Sequence, residues 1–152
     1  MREVKLSHGS GGKETRELLE ELLLSLLGEG MKRVEGGVGT DELDDGAAIP
    51  LPTGGYVVIT IDSYTVNPPF FPGGDIGRLA ASGTINDLLM MGAKPLAMLD
   101  ALVVEEGFPL QKLAEITRNL VTTLEETGVK LVGGDLKVMP RGSLDGVAVT
   151  TA

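Results

Sequence analysis

The segment FFPGGDIGRLAASGTINDLLMMGAKP, residues 70–95, constrains the fold more than any other part of the chain. Asp75 is a good helix N-cap, because its short carboxylate can accept from the unsatisfied amides of a first turn. Gly92 supplies the stop. The helix so bounded is apolar almost all round, a pattern stable only when other elements cover it. At ~100° per residue, Ile76, Leu79, Ala80, Gly83, Asp87 and Met90 fall along one stripe. Ala80 and Gly83 leave room for a close approach, and Asp87 puts a carboxylate where something else packs. An unpaired buried carboxylate is costly and takes up a proton, but it is stable facing a cation. Asp87 is therefore a candidate metal ligand on a rigid helix. The alternatives are a half-exposed aspartate, or one bonded to backbone amides.

The flanking sequence supplies the elements that could cover such a helix. YVVITID (56–62) is β-branched and apolar on both faces, which predicts a central strand. PLAMLDALVVEEG (95–107), VKLVGG (129–134) and LDGVAVTT (144–151) predict three more strands, the last two joined by the turn MPRGS. A further helix starts after Pro109 and ends before Gly128, with Leu113, Ile116, Leu120, Val121 and Leu124 turned inward. An earlier helix over 13–27 carries Leu18, Leu19, Leu22, Leu23, Leu26 and Leu27 on one broad face. Between it and the short apolar run AAIPL lies a long polar loop, residues 28–46. Helices do not alternate regularly with strands, so the order points to an α+β domain rather than a Rossmann sheet.

With 152 residues, the chain fits one domain of ordinary size. A net charge of −9 and no basic stripe argue against nucleic-acid binding. No cysteine and a single histidine, His8, exclude disulfides, thiolate metal sites and multi-histidine sites within these residues. No apolar run approaches a membrane span, and the first residues lack the apolar core of a signal peptide, so a cytoplasmic location is expected.

What remains for chemistry is oxygen. Asp62 ends YVVITID, Asp135 follows VKLVGG, and Asp44 and Asp45 precede AAIPL. With Asp87, carboxylates thus stand at the ends of several buried elements, where α+β proteins build sites. Carboxylates without histidine or cysteine suit a hard cation, Mg²⁺ or Mn²⁺, commonly shared with nucleotide phosphates. Taken singly, each aspartate also fits a cap or a turn. The loop HGSGGK (8–13) departs from G-x-x-x-x-G-K-S/T, since Ser7 and Glu14 stand where Gly and Ser or Thr belong. Gly11, Gly12 and Lys13 can still offer backbone amides and a cation to a phosphate at a helix start; a flexible terminal segment is the alternative. Lys137 can pair with Asp135 or with a phosphate, or stay solvated.

Three blocks, TIDSYTVNPPFFPGGDIGRLAASGTINDLLMMGAKPLA, EEGFPL and GGDLKVMPRG, resemble the HypE family of hydrogenase maturation proteins. That family lies within the ATP-binding superfamily of aminoimidazole ribonucleotide synthetase, thiamine-monophosphate kinase and selenophosphate synthetase. The resemblance runs from HGSGGK to VAVTTA. It implies an α+β N-terminal domain with a mixed sheet that pairs with a second copy of itself, binding ATP and Mg²⁺ nearby. It also implies metal-binding roles for Asp44 or Asp45, Asp62, Asp87 and Asp135, and contacts to nucleotide or phosphate from Gly11, Gly12, Asn86 and Lys137. Lys13 resembles a phosphate-handling, catalytic lysine. Leu136 replaces the threonine of the family's G-D-T-K motif and removes a hydroxyl there.

Members of the family continue through a second domain to a terminal cysteine. Its thiol accepts a carbamoyl group, which ATP-dependent dehydration turns into thiocyanate for the cyanide ligands of nickel–iron hydrogenase. The resemblance further implies a homodimer and partners that include a carbamoyltransferase and other maturation proteins. These 152 residues contain no cysteine, so the expectation is a nucleotide-binding half that is inactive alone. A small-molecule kinase or synthetase of the same superfamily, and a non-catalytic dimerisation module, are the alternatives.

Overall fold

A computed structural model describes residues 3–152, which divide into two units at Val58/Ile59. In the first, α1 spans Lys13–Leu22, shorter than the leucine periodicity predicts. The backbone tightens into a 3₁₀ turn over Leu24–Leu26, so the later leucines leave the helix face. None of the side chains of α1 is buried. A hairpin follows, β1 (Ala47–Pro50) with β2 (Tyr56–Ile59).

YVVITID is not one central strand. It breaks after Ile59, and its end forms a separate strand, β3 (Asp62–Tyr64), at the edge of another sheet. The reason lies in pairing: Asp62, Ser63 and Tyr64 register with Thr151, Thr150 and Val149, while β2 pairs with β1. Val57 and Ile59 consequently stay exposed.

The second unit is built on a four-stranded sheet. After a short hairpin of β4 (Phe70–Phe71) and β5 (Gly74–Asp75) come α2 (Ile76–Met90), β6 (Ala97–Glu105), α3 (Leu110–Thr127), β7 (Lys130–Met139) and β8 (Val147–Thr151). The sheet order is β3-β8-β6-β7. Strands β6 and β7 are parallel, joined through α3, and the other pairings are antiparallel. Strand β7 runs five residues beyond VKLVGG, so Asp135 lies within a strand rather than after one.

The caps behave as the sequence predicts. Asp75 accepts from the Arg78 amide at 2.9 Å, and Gly128 closes α3 in the left-handed region. Asp75 also accepts from Asn119 Nδ2 at 2.5 Å, tying the start of α2 to α3. The covered stripe of α2 is Ile76, Gly77, Ala80, Ala81, Thr84 and Ile85. This is rotated from the predicted stripe: Leu79 and Met90 are exposed, because α3 and β8 meet the helix on the side of its smallest residues. These residues pack with Met98, Ile116, Leu120, Leu124, Val147 and Val149 into the core. On α3, Val121 lies outside it and is 36% exposed.

The crossing of α2 and α3 is tight at Gly77, where a Cβ would stand 2.1 Å from the Ile116 carbonyl oxygen. A carbonyl fixed in a helix cannot swing aside. Gly77→Ala is expected to destabilise the unit by about 1–3 kcal/mol through overpacking, despite alanine's better helix propensity. Urea unfolding checks this; an unchanged midpoint refutes it.

Candidate functional site

One transverse row of the sheet joins Asp62, Thr151, Asp100 and Gly134 on β3, β8, β6 and β7. Registered partners present their side chains to one face. Here it is the face of α2, since Thr151 donates to the Ala80 carbonyl at 3.2 Å and bonds Thr84 Oγ1 at 2.6 Å. Tyr64, two residues beyond Asp62, shares that face. A Cβ at Gly83 would stand 2.1 Å from the Tyr64 hydroxyl and 2.8 Å from Cζ, so the phenol occupies the space the missing side chain leaves.

The hydroxyl lies 3.4 Å from Thr84 Oγ1 and faces the Asp62 carboxyl, with the Asp87 charge nearby. Burial is the main reason the phenol is pushed up to about 12; Asp62 and Asp87 add to the rise, while the Thr84 bond opposes it. Asp87 is half-buried on the last turns of α2 and accepts from Thr60 Oγ1 at 3.4 Å. Asn86, beside it, is exposed. Carboxylates from β3 and α2 thus both bear electrostatically on one phenol.

Asp135 is placed differently. It registers with Ala101, which registers with Thr150, and Thr150 with Ser63. It therefore projects from the opposite face of the sheet, with Lys137 two residues along. The structure does not bring Asp135 to Asp62 and Asp87. Among the described residues, no three carboxylate or histidine side chains gather around one point.

In the N-terminal unit, Lys13 is exposed and pairs with Glu17 at 3.5 Å, while the Gly11 amide donates to Thr15 Oγ1 at 3.0 Å and Gly12 caps α1. The long polar loop is stitched rather than open. The Arg33 guanidinium binds Asp41 and, at 2.7 Å, Glu42, and Val38 bridges Ala48. The bond from Arg33 holds the Asp41 carboxyl below the usual carboxylate range. Leu43 follows with φ +54, a rare setting for a branched side chain, immediately before Asp44, whose Oδ1 accepts from the Asp45 amide at 3.0 Å.

The donor set around Asp62 and Asp87 is oxygen only: two carboxylates and the hydroxyls of Tyr64 and Thr60. That chemistry fits Mg²⁺, which is commonly held by one or two carboxylates with substrate phosphates completing the shell. Sequence reasoning finds both aspartates but misses Tyr64, Thr84, Thr151 and Asp100. Period-two alternation in LDGVAVTT marks Thr151 as facing the core; nothing local marks the tyrosine.

Residues 43–152 match the family described as AIR synthase related protein, N-terminal domain, and the chain belongs to that family. Within it, the chain is similar to the hydrogenase maturation protein HypE. The carbamoyl dehydratase HypE of Azotobacter vinelandii is 45% identical over 148 residues, 97% of this chain and 41% of that protein. HypE in the crystal structure of a HypE–HypF complex superposes with a TM-score of 0.72 at 38% identity, over 92% of this chain and 41% of that one. HypE in complex with ATP superposes with a TM-score of 0.63 at 36% identity, over 98% and 42%. The chain spans about two-fifths of the length of these relatives. Among the described residues no helix is long and apolar enough to cross a membrane.

Asp100 offers a test of the electrostatics on this face. Its Oδ1 lies 2.0 Å from where a Cβ on Gly134 would sit, and burial raises its carboxyl above the usual value of about 3.9. The folded state holds that proton more tightly than the unfolded chain, so stability falls as pH rises between the two values, and the cost persists above them. Asp100→Asn is expected to raise Tm at pH 7, with the gain shrinking toward pH 3. A gain that grows on acidification overturns the reading.

Proposed function

We propose that this chain is the ATP- and Mg²⁺-binding, dimer-forming part of a hydrogenase maturation enzyme of the carbamoyl dehydratase kind. The observation that carries the proposal is the likeness to HypE in complex with ATP, in a fold where Asp62 on β3 and Asp87 on α2 both bear on the Tyr64 phenol. In the full reaction, a cysteine thiol bears a carbamoyl group. ATP phosphorylates the carbamoyl oxygen, phosphate departs with it, and the loss of two protons leaves a thiocyanate on sulfur for delivery to the hydrogenase iron. That sulfur must come from outside these residues, which contain no cysteine. Alone they bind nucleotide and leave the carbamoyl chemistry undone. The similarity to HypE in complex with HypF supports docking to another maturation protein.

Asp62 and Asp87 would hold Mg²⁺, which draws charge from the phosphates during transfer. Asp44, Asp45 and Asn86, the loop carrying Gly11, Gly12 and Lys13, and Asp135 with Lys137 on the other face are assigned to the nucleotide site by resemblance. Asp87→Asn preserves size and removes charge. It is expected to weaken Mg²⁺-dependent ATP binding at least tenfold, as loss of a charged contact does, while the circular dichroism spectrum is kept. Unchanged Mg–ATP affinity by calorimetry sinks the ligand role.

Assembly through the sheet is the second part of the proposal. Strand β7 is an edge, exposed at nine of its ten positions, and Leu131, Val132, Leu136 and Val138 lie open along it. A long apolar edge is a template for pairing with another strand. The chain is expected to form a homodimer at micromolar concentration, and Val132→Lys to shift it toward monomer. Light scattering giving a monomeric mass for the unsubstituted chain counts against this interface.

A further inference from the structure

We infer that the buried hydroxyls of Thr84 and Thr151 form a positioning pair for Asp87: they fix the rotation of α2, and with it where that carboxylate stands against Thr60. The inference rests on the reading of Asp87 as a Mg²⁺ ligand. It deepens that reading by naming two residues that act on the site from within the core, through another side chain.

Threonines inside helices commonly bond the carbonyl four residues back. Helix α3 does this three times: Thr117 donates to the Leu113 carbonyl at 3.0 Å, Thr123 to Asn119 at 2.8 Å and Thr127 to Thr123 at 2.9 Å. Such bonds stay within one helix and orient nothing outside it. Thr84 of α2 is used differently. The carbonyl four residues before it, Ala80, accepts from Thr151 Oγ1 of β8 at 3.2 Å, and Thr84 Oγ1 lies 2.6 Å from that same hydroxyl. Thr151 has one hydroxyl proton, given to Ala80, so Thr84 is the donor to Thr151. One side chain of the strand thus grips one turn of the helix at both ends. Thr84 and Thr151 are 1% and 0% exposed, so water does not replace a lost bond.

The grip matters because of what lies on either side of it. Gly77, Ala80 and Ala81 let α2 approach closely, but apolar contact is non-directional. Hydrogen bonds weaken steeply when bent, so turning α2 about its axis strains both bonds to Thr151. Asp87 follows Thr84 by three residues, so the two are neighbours along one side of the helix and turn together. Asp87 accepts from Thr60 Oγ1 at 3.4 Å, near the outer limit of a hydrogen bond, and a small rotation is enough to break it. At the other end of the pair, Thr151 registers with Asp62 across β3 and β8. The two hydroxyls therefore join the helix turn before Asp87 to the strand position beside Asp62.

Thr84→Val keeps the shape and removes the hydroxyl; Thr84→Ser keeps the hydroxyl and removes the methyl. By calorimetry with Mg–ATP, Thr84→Val is expected to weaken binding about tenfold, the upper scale for one buried hydrogen bond, and Thr84→Ser to bind as the unsubstituted chain does. Thr151→Val is expected to match Thr84→Val, and the double variant to lose little more, as for two residues in one network. In the metal-free chain, the NMR amide resonances of Thr60, Asp62 and Asp87 are expected to move in Thr84→Val and to return in Thr84→Ser. Thr123→Val is the control for lost stability alone. It removes a hydroxyl that is 3% exposed from α3, and is expected to lower the urea midpoint with Mg–ATP affinity unchanged. The inference is overturned, with the aspartate site standing, if Asp87→Asn loses binding while the valine variants at 84 and 151 bind normally. It is overturned equally if Thr84→Ser behaves as Thr84→Val, or if Thr123→Val weakens binding as much. Normal binding by Asp87→Asn refutes the site itself, and the positioning role with it.

Discussion

The close seating of α2 is the contact on which the second unit depends. The helix meets α3 at Gly77 and the Tyr64 ring at Gly83, with a glycine at each because a Cβ would overlap its neighbour. Between these points Thr84 reaches the sheet through Thr151, and at the start Asp75 binds both its own first turn and Asn119. Apolar burial supplies the bulk of the attraction, but it is indifferent to rotation of the helix about its axis. The small residues and the polar ties choose the rotation. That choice leaves Asp87 at the border with β3 rather than within the core.

An acidic chain makes the site's requirement sharper. At a net charge of −9, nothing in the overall field helps to neutralise two neighbouring carboxylates. Local compensations include the Thr60 hydroxyl on Asp87, the Ser63 amide on Asp62 at 2.8 Å, and the phenol. These are hydrogen bonds from neutral groups. By contrast, Asp41 and Glu42 share the full charge of Arg33, which marks that cluster as a structural clasp for its loop.

Much of this was legible in the sequence, and the failures have physical causes. The caps at Asp75 and Gly128, and α2, α3, β6 and β8, follow from local chemistry and periodicity. The helix after HGSGGK ends early because none of its leucine face is buried, so little beyond propensity sustains it. YVVITID divides because pairing partners, not β propensity, decide where a strand runs. The rotated stripe of α2 arises from small residues, which weigh little in a hydrophobic count yet dominate close packing. Asp62 and Asp87 are readable as carboxylates at element ends, but the tyrosine on which both bear is identified only by register across β3 and β8. Asp135, read as the end of a strand, falls inside one and turns to the other face, since a one-residue difference in register exchanges faces.

The use of α2 both as packing surface and as carrier of the Asp87 carboxylate restricts how this domain can change by substitution. Exchanging helix glycines for alanine is a common route to thermostability in other proteins. Here Gly77 touches a carbonyl and Gly83 a phenol, so that route is closed at the two positions where propensity would gain most. Sequence drift should instead collect on the outward side, at Leu79, Leu89 and Met90, where exposure leaves the side chain free of fixed neighbours. The helix is in effect conserved by geometry along one edge and permissive along the other, and the border between the two runs through Asp87.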